Sequence, residues 1–309
     1  MSYLRAFGCW LPPRRVSNAE IAPLLDASPE WVLDVTGIEE RRYAAQEDTV
    51  AAIGVRAAQN CLERAGVAAA DLGMILVASG SSDRFCPGPA SQIAAALGLG
   101  STPALDIPVA SAGSLIGLAL AARLAPSVGR ILVIGAEIMS RRALLTPESK
   151  NIAILFGDGA GACLVDPEIG FARIADSCLY TDGSQAEILT IEERAFQMDG
   201  PAVILQASRK IPRAISELLT RNQLAVSDVE MFLMHQANLN LIHRVAGSLK
   251  VGRDKFFTNI GRYGNTSSAS MLIAADEWWR GQGSLLRGPM VLAAFGAGLN
   301  WGALLALPS

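Results

Sequence analysis

The stretch Val67-Ala68-Ala69-Ala70-Asp71-Leu72-Gly73-Met74-Ile75-Leu76-Val77 returns 157 residues later as Leu224-Ala225-Val226-Ser227-Asp228-Val229-Glu230-Met231-Phe232-Leu233-Met234. An apolar residue, a three-residue spacer, an acidic residue and a short apolar strand recur in the same places. Working outward, a helix beginning near Ser111 recurs near Ser267 at an offset of 156, and the strand Ile131–Ile134 recurs as Val291–Ala294 at 160. Three elements sharing an offset close to half the chain length indicate an internal duplication. The periodicity predicts helices over 48–64, 111–124, 208–221 with a proline near its start, and 266–280. Strands are predicted over 74–78, 131–135, 161–165, 231–234, 290–295 and 302–307. Segment 111–124 is apolar nearly all round, through Leu115, Ile116, Leu118, Leu120 and Leu124, and such a helix belongs inside a molecule. Each half is therefore expected to be an α/β layer structure, residues 1–166 and 167–309, with the two apolar helices sandwiched between.

Composition agrees with buried layers and excludes several classes. Of 309 residues, 51% are hydrophobic and 18% charged, against roughly 45–50% and about 25% for an average soluble domain. The net charge of −3 gives no basic field for nucleic acid or an anionic membrane. Five scattered cysteines with no CxxC pair suggest neither a disulfide framework nor a metal site, and a reducing cytoplasm is the expected setting. The N-terminal twenty residues carry Arg5, Arg14, Arg15 and Glu20, which does not fit a signal peptide. Residues 288–309 form a charge-free run, but Gly288, Pro289, Gly296, Gly298, Asn300 and Gly302 divide it into two short strands and a turn.

Three positions carry the chemistry the sequence offers. Ser111, in Ala110-Ser111-Ala112-Gly113, opens the buried helix, where free N–H groups and the helix dipole stabilise negative charge. A plain N-cap is the other use of a serine there. His235 ends an apolar strand, the edge at which α/β proteins build sites, though a hydrogen-bonded structural histidine fits equally. His243, the second of only two histidines, is expected on a solvated helix face. Asn265 leads into the second central helix, either as a cap or as a partner brought to Ser111 by the duplication. Two Gly-rich runs, Phe156–Gly161 and Phe295–Gly298, superficially suggest dinucleotide loops. A strand rather than a helix follows each, so they are predicted to be tight turns, the second placing backbone N–H groups near an oxyanion.

Taken together, six segments in order resemble the β-ketoacyl-acyl-carrier-protein synthase III group of thiolase-fold condensing enzymes. They are Trp31-x5-Gly37-Ile38-x2-Arg41-Arg42, Asp106-Ile107-x2-Ala110-Ser111-Ala112-Gly113, Leu155–Gly161, His235-Gln236-Ala237-Asn238, Tyr263-Gly264-Asn265-Thr266-Ser267 and Phe295-Gly296-x-Gly298-x2-Trp301-Gly302. The resemblance implies a five-layered αβαβα sandwich and a homodimer. It implies no bound cofactor, since acyl-CoA or a phosphopantetheine thioester on acyl carrier protein is substrate. It maps His235 and Asn265 onto the histidine and asparagine of a Cys-His-Asn triad and Ser111 onto the nucleophile. It also implies an oxyanion hole from the backbone of Ser111, Gly296 and Ala297, CoA or carrier contacts at Trp31, Lys150 and Asn240, and an acyl pocket at Phe85. Two arginines the family uses at the tunnel mouth stand here as Val35 and Asn240.

Serine at the nucleophile position changes the chemistry. A thiol of pKa about 8.5 ionises near neutrality beside a helix N-terminus, whereas a hydroxyl must give its proton to a base during attack, for which His235 is the candidate. The readings consistent with this sequence are acyl transfer to Ser111 followed by condensation with a malonyl thioester, or transfer to an alcohol or amine acceptor. A silent partner subunit of a Cys-containing paralogue and an engineered Cys-to-Ser variant are the remaining two.

Overall fold

The structure is a computed structural model that describes residues 1–192, 195–281 and 285–309. Nine strands carry its frame: β1 (Ser2–Trp10), β2 (Leu72–Ala78), β3 (Ala104–Ile107), β4 (Arg130–Ile138), β5 (Asp158–Asp166), β6 (Ala172–Thr181), β7 (Met231–Met234), β8 (Met290–Gly296) and β9 (Asn300–Pro308). Their hydrogen-bonded order is β7-β8-β9-β6-β1-β5-β4-β2-β3. The same succession of pairings occurs twice. Parallel β2–β4 is followed by antiparallel β4–β5 and β5–β1, and parallel β7–β8 by antiparallel β8–β9 and β9–β6. The two series meet at β1–β6, through only the three pairs Ser2–Ile174, Tyr3–Arg173 and Leu4–Ala172.

Six helices layer onto these strands: α1 (Val50–Ala65), α2 (Pro89–Ala96), α3 (Gly113–Val128), α4 (Gly200–Arg221), α5 (Leu239–Leu249) and α6 (Ser270–Gly281). Thr49 caps α1 by accepting from Ala52 N–H, and Gly66 ends it at φ +62°, the stop its position predicts. Helices α1 and α6 lie on opposite faces of β1 and β5. A Cβ on Gly8 would strike the α1 backbone at Cys61, and one on Gly161, opposite the next residue of β1, would strike α6 at Leu272. Helix α3 packs on β2 and β4 and also touches β6, β8 and β9, while α6 touches β7. The pair α3 and α6 therefore fills the middle, α1 and α2 cover one outer face, and α4 and α5 the other. This is a layered α/β sandwich.

The structure corrects several expectations. The run Phe156–Gly161 is not a tight turn: β5 begins at Asp158, and its glycines are small because α6 and the Tyr263 carbonyl press against them. Helix α4 begins at Gly200, capped by Asp199, so Pro212 lies in its interior rather than near its start. Helix α3 starts two residues after Ser111 and is not fully enclosed. Leu120, Leu124 and Val128 form a stripe at four-residue spacing that is more than a third exposed in the single chain. Residues 290–308 form the β8–β9 hairpin, and among the described residues no helix is long and apolar enough to cross a membrane.

Candidate active site

Ser111 sits in a tight turn rather than in a helix. The Ala112 N–H donates to the Ala110 carbonyl at 2.8 Å, and Ser111 takes φ +66°, a left-handed conformation that costs a non-glycine residue about 1–2 kcal/mol. The N-cap of α3 is Ala112, whose side chain makes no cap bond, so Ser111 is not serving as a cap. Gly296 at the end of β8 permits the turn: any side chain there would collide with the Ala110 carbonyl and Ala112. Ser111 is buried, with 7% of its surface exposed, and its N–H donates to Ser267 Oγ at 3.0 Å. The two hydroxyl oxygens lie 3.5 Å apart.

His235 follows β7, where its N–H extends the sheet by donating to the Ala293 carbonyl at 2.9 Å. Its ring is buried, with Nδ1 2.6 Å from Ser270 Oγ, the first residue of α6. Burial without a carboxylate partner lowers its pKa from 6.5 to about 3, so the imidazole is neutral at physiological pH. Asn265 is clamped by its backbone, its N–H donating to the Leu155 carbonyl at 2.8 Å and its carbonyl accepting from Gly157 N–H at 3.1 Å. Asn265 Oδ1 accepts from Ser267 N–H at 2.8 Å, so the side chain also stabilises the turn that precedes α6. That bond orients the amide and leaves Nδ2 with one long contact, 3.5 Å to the Ala237 carbonyl.

Ser111, His235 and Asn265 all line one cavity of about 550 Å³. Its walls are mostly apolar, from Phe156, Phe196, Met198, Ile204 and Phe295, and among the described residues Asp199 is the only charged one lining it. Ser111 comes from a segment 124 residues before His235, and Asn265 lies 30 residues after it. No hydrogen bond joins Ser111 Oγ to His235, because Ser267 is the hydroxyl's neighbour.

Comparison with known proteins gives the family. Residues 105–183 match the family model of 3-oxoacyl-[acyl-carrier-protein] synthase III, and residues 219–307 match the model of its C-terminal portion. The chain is 39% identical to the β-ketoacyl-[acyl-carrier-protein] synthase III of Serratia proteamaculans, with 96% of each chain covered. The chain belongs to the 3-oxoacyl-[acyl-carrier-protein] synthase III family. Its structure is similar to that of the Aquifex aeolicus synthase III, with a TM-score of 0.94 and 31% identity over 99% of this chain and all of that one. It is also similar to the priming β-ketosynthase of the R1128 polyketide pathway, with a TM-score of 0.89 and 31% identity over 100% of this chain and 97% of that one.

The remaining positions singled out from the synthase III resemblance separate on the structure. Trp31 lines the cavity, and the half-buried Lys150 places Nζ 5.7 Å from the centroid of its ring. Val35 also lines it, but Asn240 is not among the lining residues. Asn240 Nδ2 instead donates to the Asp34 carbonyl at 3.0 Å, tying the start of α5 to the helix Pro29–Thr36. Phe85 is fully exposed and lines a neighbouring cavity of about 830 Å³, on the other side of Ala110. Of the expected oxyanion-hole donors, the Ser111 N–H is engaged by Ser267 Oγ, and the Ala297 N–H by the Ala110 carbonyl at 3.3 Å. Both bonds must yield before those groups can hold a ligand oxygen. Sequence reasoning assigns no chemical role to Ser267, Ser270 or Asn238. Their signal was polar residues kept at the start of an apolar helix, and an asparagine whose Oδ1 accepts from the first N–H groups of α5.

Proposed function

We propose that the chain handles acyl thioesters as a β-ketoacyl-acyl-carrier-protein synthase III-type acyltransferase in fatty-acid or polyketide biosynthesis. The observation that carries this reading is the convergence of Ser111, His235 and Asn265 on one apolar cavity beside the start of a buried helix. In the first step Ser111 Oγ bonds to the acyl carbonyl carbon, the C–S bond of acyl-CoA breaks, and the hydroxyl proton leaves with the thiol. In the second, a malonyl thioester loses carbon dioxide while His235 and Asn265 donate hydrogen bonds to its carbonyl oxygen. The resulting enolate carbon bonds to the acyl carbonyl, the ester C–O bond breaks, and Ser111 leaves as an alkoxide that takes a proton from water.

Serine in place of the family's cysteine sets the balance between these steps. Ser111 Oγ contacts another hydroxyl rather than an imidazole, so no base is poised for its proton. Acylation is therefore the slow step, and decarboxylation is the better supported half of the reaction. No cofactor is required, because CoA or a carrier-bound phosphopantetheine arrives with the substrate. Trp31 and Lys150 receive the donor, with the absence of arginine at Val35 and Asn240 weakening the grip on phosphate and on an acidic carrier protein.

The working form in this proposal is a cytoplasmic homodimer. The edge strand β3 exposes Leu105, on the face whose Ile107 lies near Gly117 of α3, and α3 adds its stripe of Leu120, Leu124 and Val128. An unpaired strand edge beside an apolar stripe suits a second copy, and the exposed Phe85 would then enclose the acyl end of the site. Incubation with acyl-CoA followed by mass analysis of the Ser111 peptide tests the reading. An acyl adduct on Ser111 is expected, and its absence with every donor from acetyl- to dodecanoyl-CoA would remove the acyl-enzyme step.

A further inference from the structure

We infer that Ser270 is a positioning residue that fixes His235 in the tautomer carrying its proton on Nε2, making this imidazole a hydrogen-bond donor rather than a base. The inference rests on the reading that His235 serves the cavity, and it concerns which proton the ring holds there.

The geometry is a closed count of donors and acceptors. Ser270 is 2% exposed, and its hydroxyl oxygen has two polar neighbours among the described residues: Gln236 N–H, which donates to it at 3.0 Å, and His235 Nδ1 at 2.6 Å. If Nδ1 carried the proton, Ser270 Oγ would accept from two N–H groups and its own buried proton would have no acceptor. If Nδ1 is bare, the Ser270 proton goes to it, every group in the chain is satisfied, and the ring's proton sits on Nε2.

The support is rigid on both sides. Gln236 is held by Nε2 donating to the Met234 carbonyl at 2.8 Å and by Oε1 accepting from Asn259 N–H at 3.2 Å. Ser270 is held by the first turn of α6, pressed into the middle layer. The ring is neutral because burial disfavours its charged form, so the tautomer rather than the charge state is what remains to be set. An Nε2–H donor suits a thioester carbonyl oxygen that gains negative charge as carbon dioxide leaves. It does not suit abstraction of the Ser111 proton, which agrees with the missing Ser111–His235 hydrogen bond. One hydroxyl in the middle layer thereby biases the site toward decarboxylation over acylation.

The chain has only two histidines, so labelling with nitrogen-15 histidine gives two imidazoles, and His243→Asn identifies the remaining one as His235. Heteronuclear NMR of the full-length protein is expected to show His235 as the Nε2–H tautomer, unchanged between pH 5.5 and 8. Ser270→Ala should abolish the single tautomer and lower kcat for malonyl-CoA decarboxylation by about tenfold with KM nearly unchanged, and Ser270→Thr, which keeps the hydroxyl, should restore both. An Nδ1–H signal in the unsubstituted protein overturns the inference, as does a Ser270→Ala protein with tautomer and kcat unaltered. Since the first reading needs no variant, misfolding of Ser270→Ala leaves the test intact. An Nε2–H ring in a protein that decarboxylates no malonyl thioester would sink the proposed function and leave this inference standing.

Discussion

At the turn before α3, Ser111 holds φ +66°; at the turn before α6, 156 residues on, Ser267 holds φ +47°. Each turn docks against a strand of the other half of the chain. The Ser111 turn presses on Gly296 of β8, and the Ser267 turn presses on Gly135 of β4, where a side chain would meet the Ser268 carbonyl. Two residues past Gly135 stands Glu137, fully buried. Its carboxylate accepts from Gly80 N–H at 3.1 Å and Ser268 N–H at 3.2 Å, and from the Ser79 and Ser81 hydroxyls. The corresponding stretch at the end of β8, Gly296-Ala297-Gly298, holds no acidic residue. The Ser268 N–H of one turn is met by the buried Glu137 side chain, whereas the Ser111 turn, its N–H groups met by Ser267 Oγ and the Ala110 carbonyl, borders the cavity. The repeated frame supplies two helix starts, one backed by a buried acidic side chain and the other bordering the cavity.

The most severe way to break that comparison is to exchange the serines' fates. Ser111→Ala is expected to abolish acyl-enzyme formation outright, read by intact mass after incubation with acyl-CoA, whereas Ser267→Ala should keep the adduct. An adduct on Ser267 would mean the two turns are functionally interchangeable. Ser111→Cys, by lowering the pKa of the nucleophile, should raise condensation with malonyl thioester by at least about 100-fold. Next in size is the support itself. Glu137→Ala leaves several buried donors unpaired and should cost about 3–5 kcal/mol in urea unfolding, and Glu137→Gln, which keeps one acceptor oxygen, about 1–2 kcal/mol. A loss below about 1 kcal/mol for Glu137→Ala would remove the carboxylate from the comparison.

A smaller effect separates the two turns by pH. His235 has its pKa lowered from 6.5 to about 3 by burial, so between those values the unfolded chain binds a proton that the folded ring refuses. Its contribution to stability is present above about pH 6.5 and falls as pH drops, by at most about 1.4 kcal/mol per pH unit. His235→Gln should flatten that part of the pH–stability curve, and an unchanged slope would show that the ring is not the group responsible. The smallest effect lies at the cavity mouth. Lys150→Ala removes a half-exposed cation from the face of Trp31 and should raise KM for acyl-CoA by about two- to fivefold, the size of an exposed cation–π contact, with kcat unchanged.

Much of the frame was legible because periodicity and turn chemistry are local. The strand Met231–Met234 and the Gly66 stop of α1 fall where spacing and residue type place them. Misreadings came where tertiary packing overrides a local signal. Pro212 reads as a helix start, yet it lies buried inside α4, and Gly157, Gly159 and Gly161 read as a turn, yet they accommodate helix α6 and the Tyr263 carbonyl against β5. Strands β1 and β6 were not read, although they form the seam between the halves.

The sequence by itself determined the repeat and the apolar character of the central helices, because repeat spacing and residue chemistry survive without coordinates; it named Ser111, His235 and Asn265 as candidates, and only the family resemblance put them in one site. Only the tertiary structure decided that Ser111 meets Ser267 rather than His235, that Ser270 stands behind the imidazole, and that Glu137 backs one helix start while the other borders the cavity. Hydrogen-bond partners from segments 35 to 156 residues apart are chosen by how the layers stack, and stacking is a property of the folded chain that no local pattern encodes.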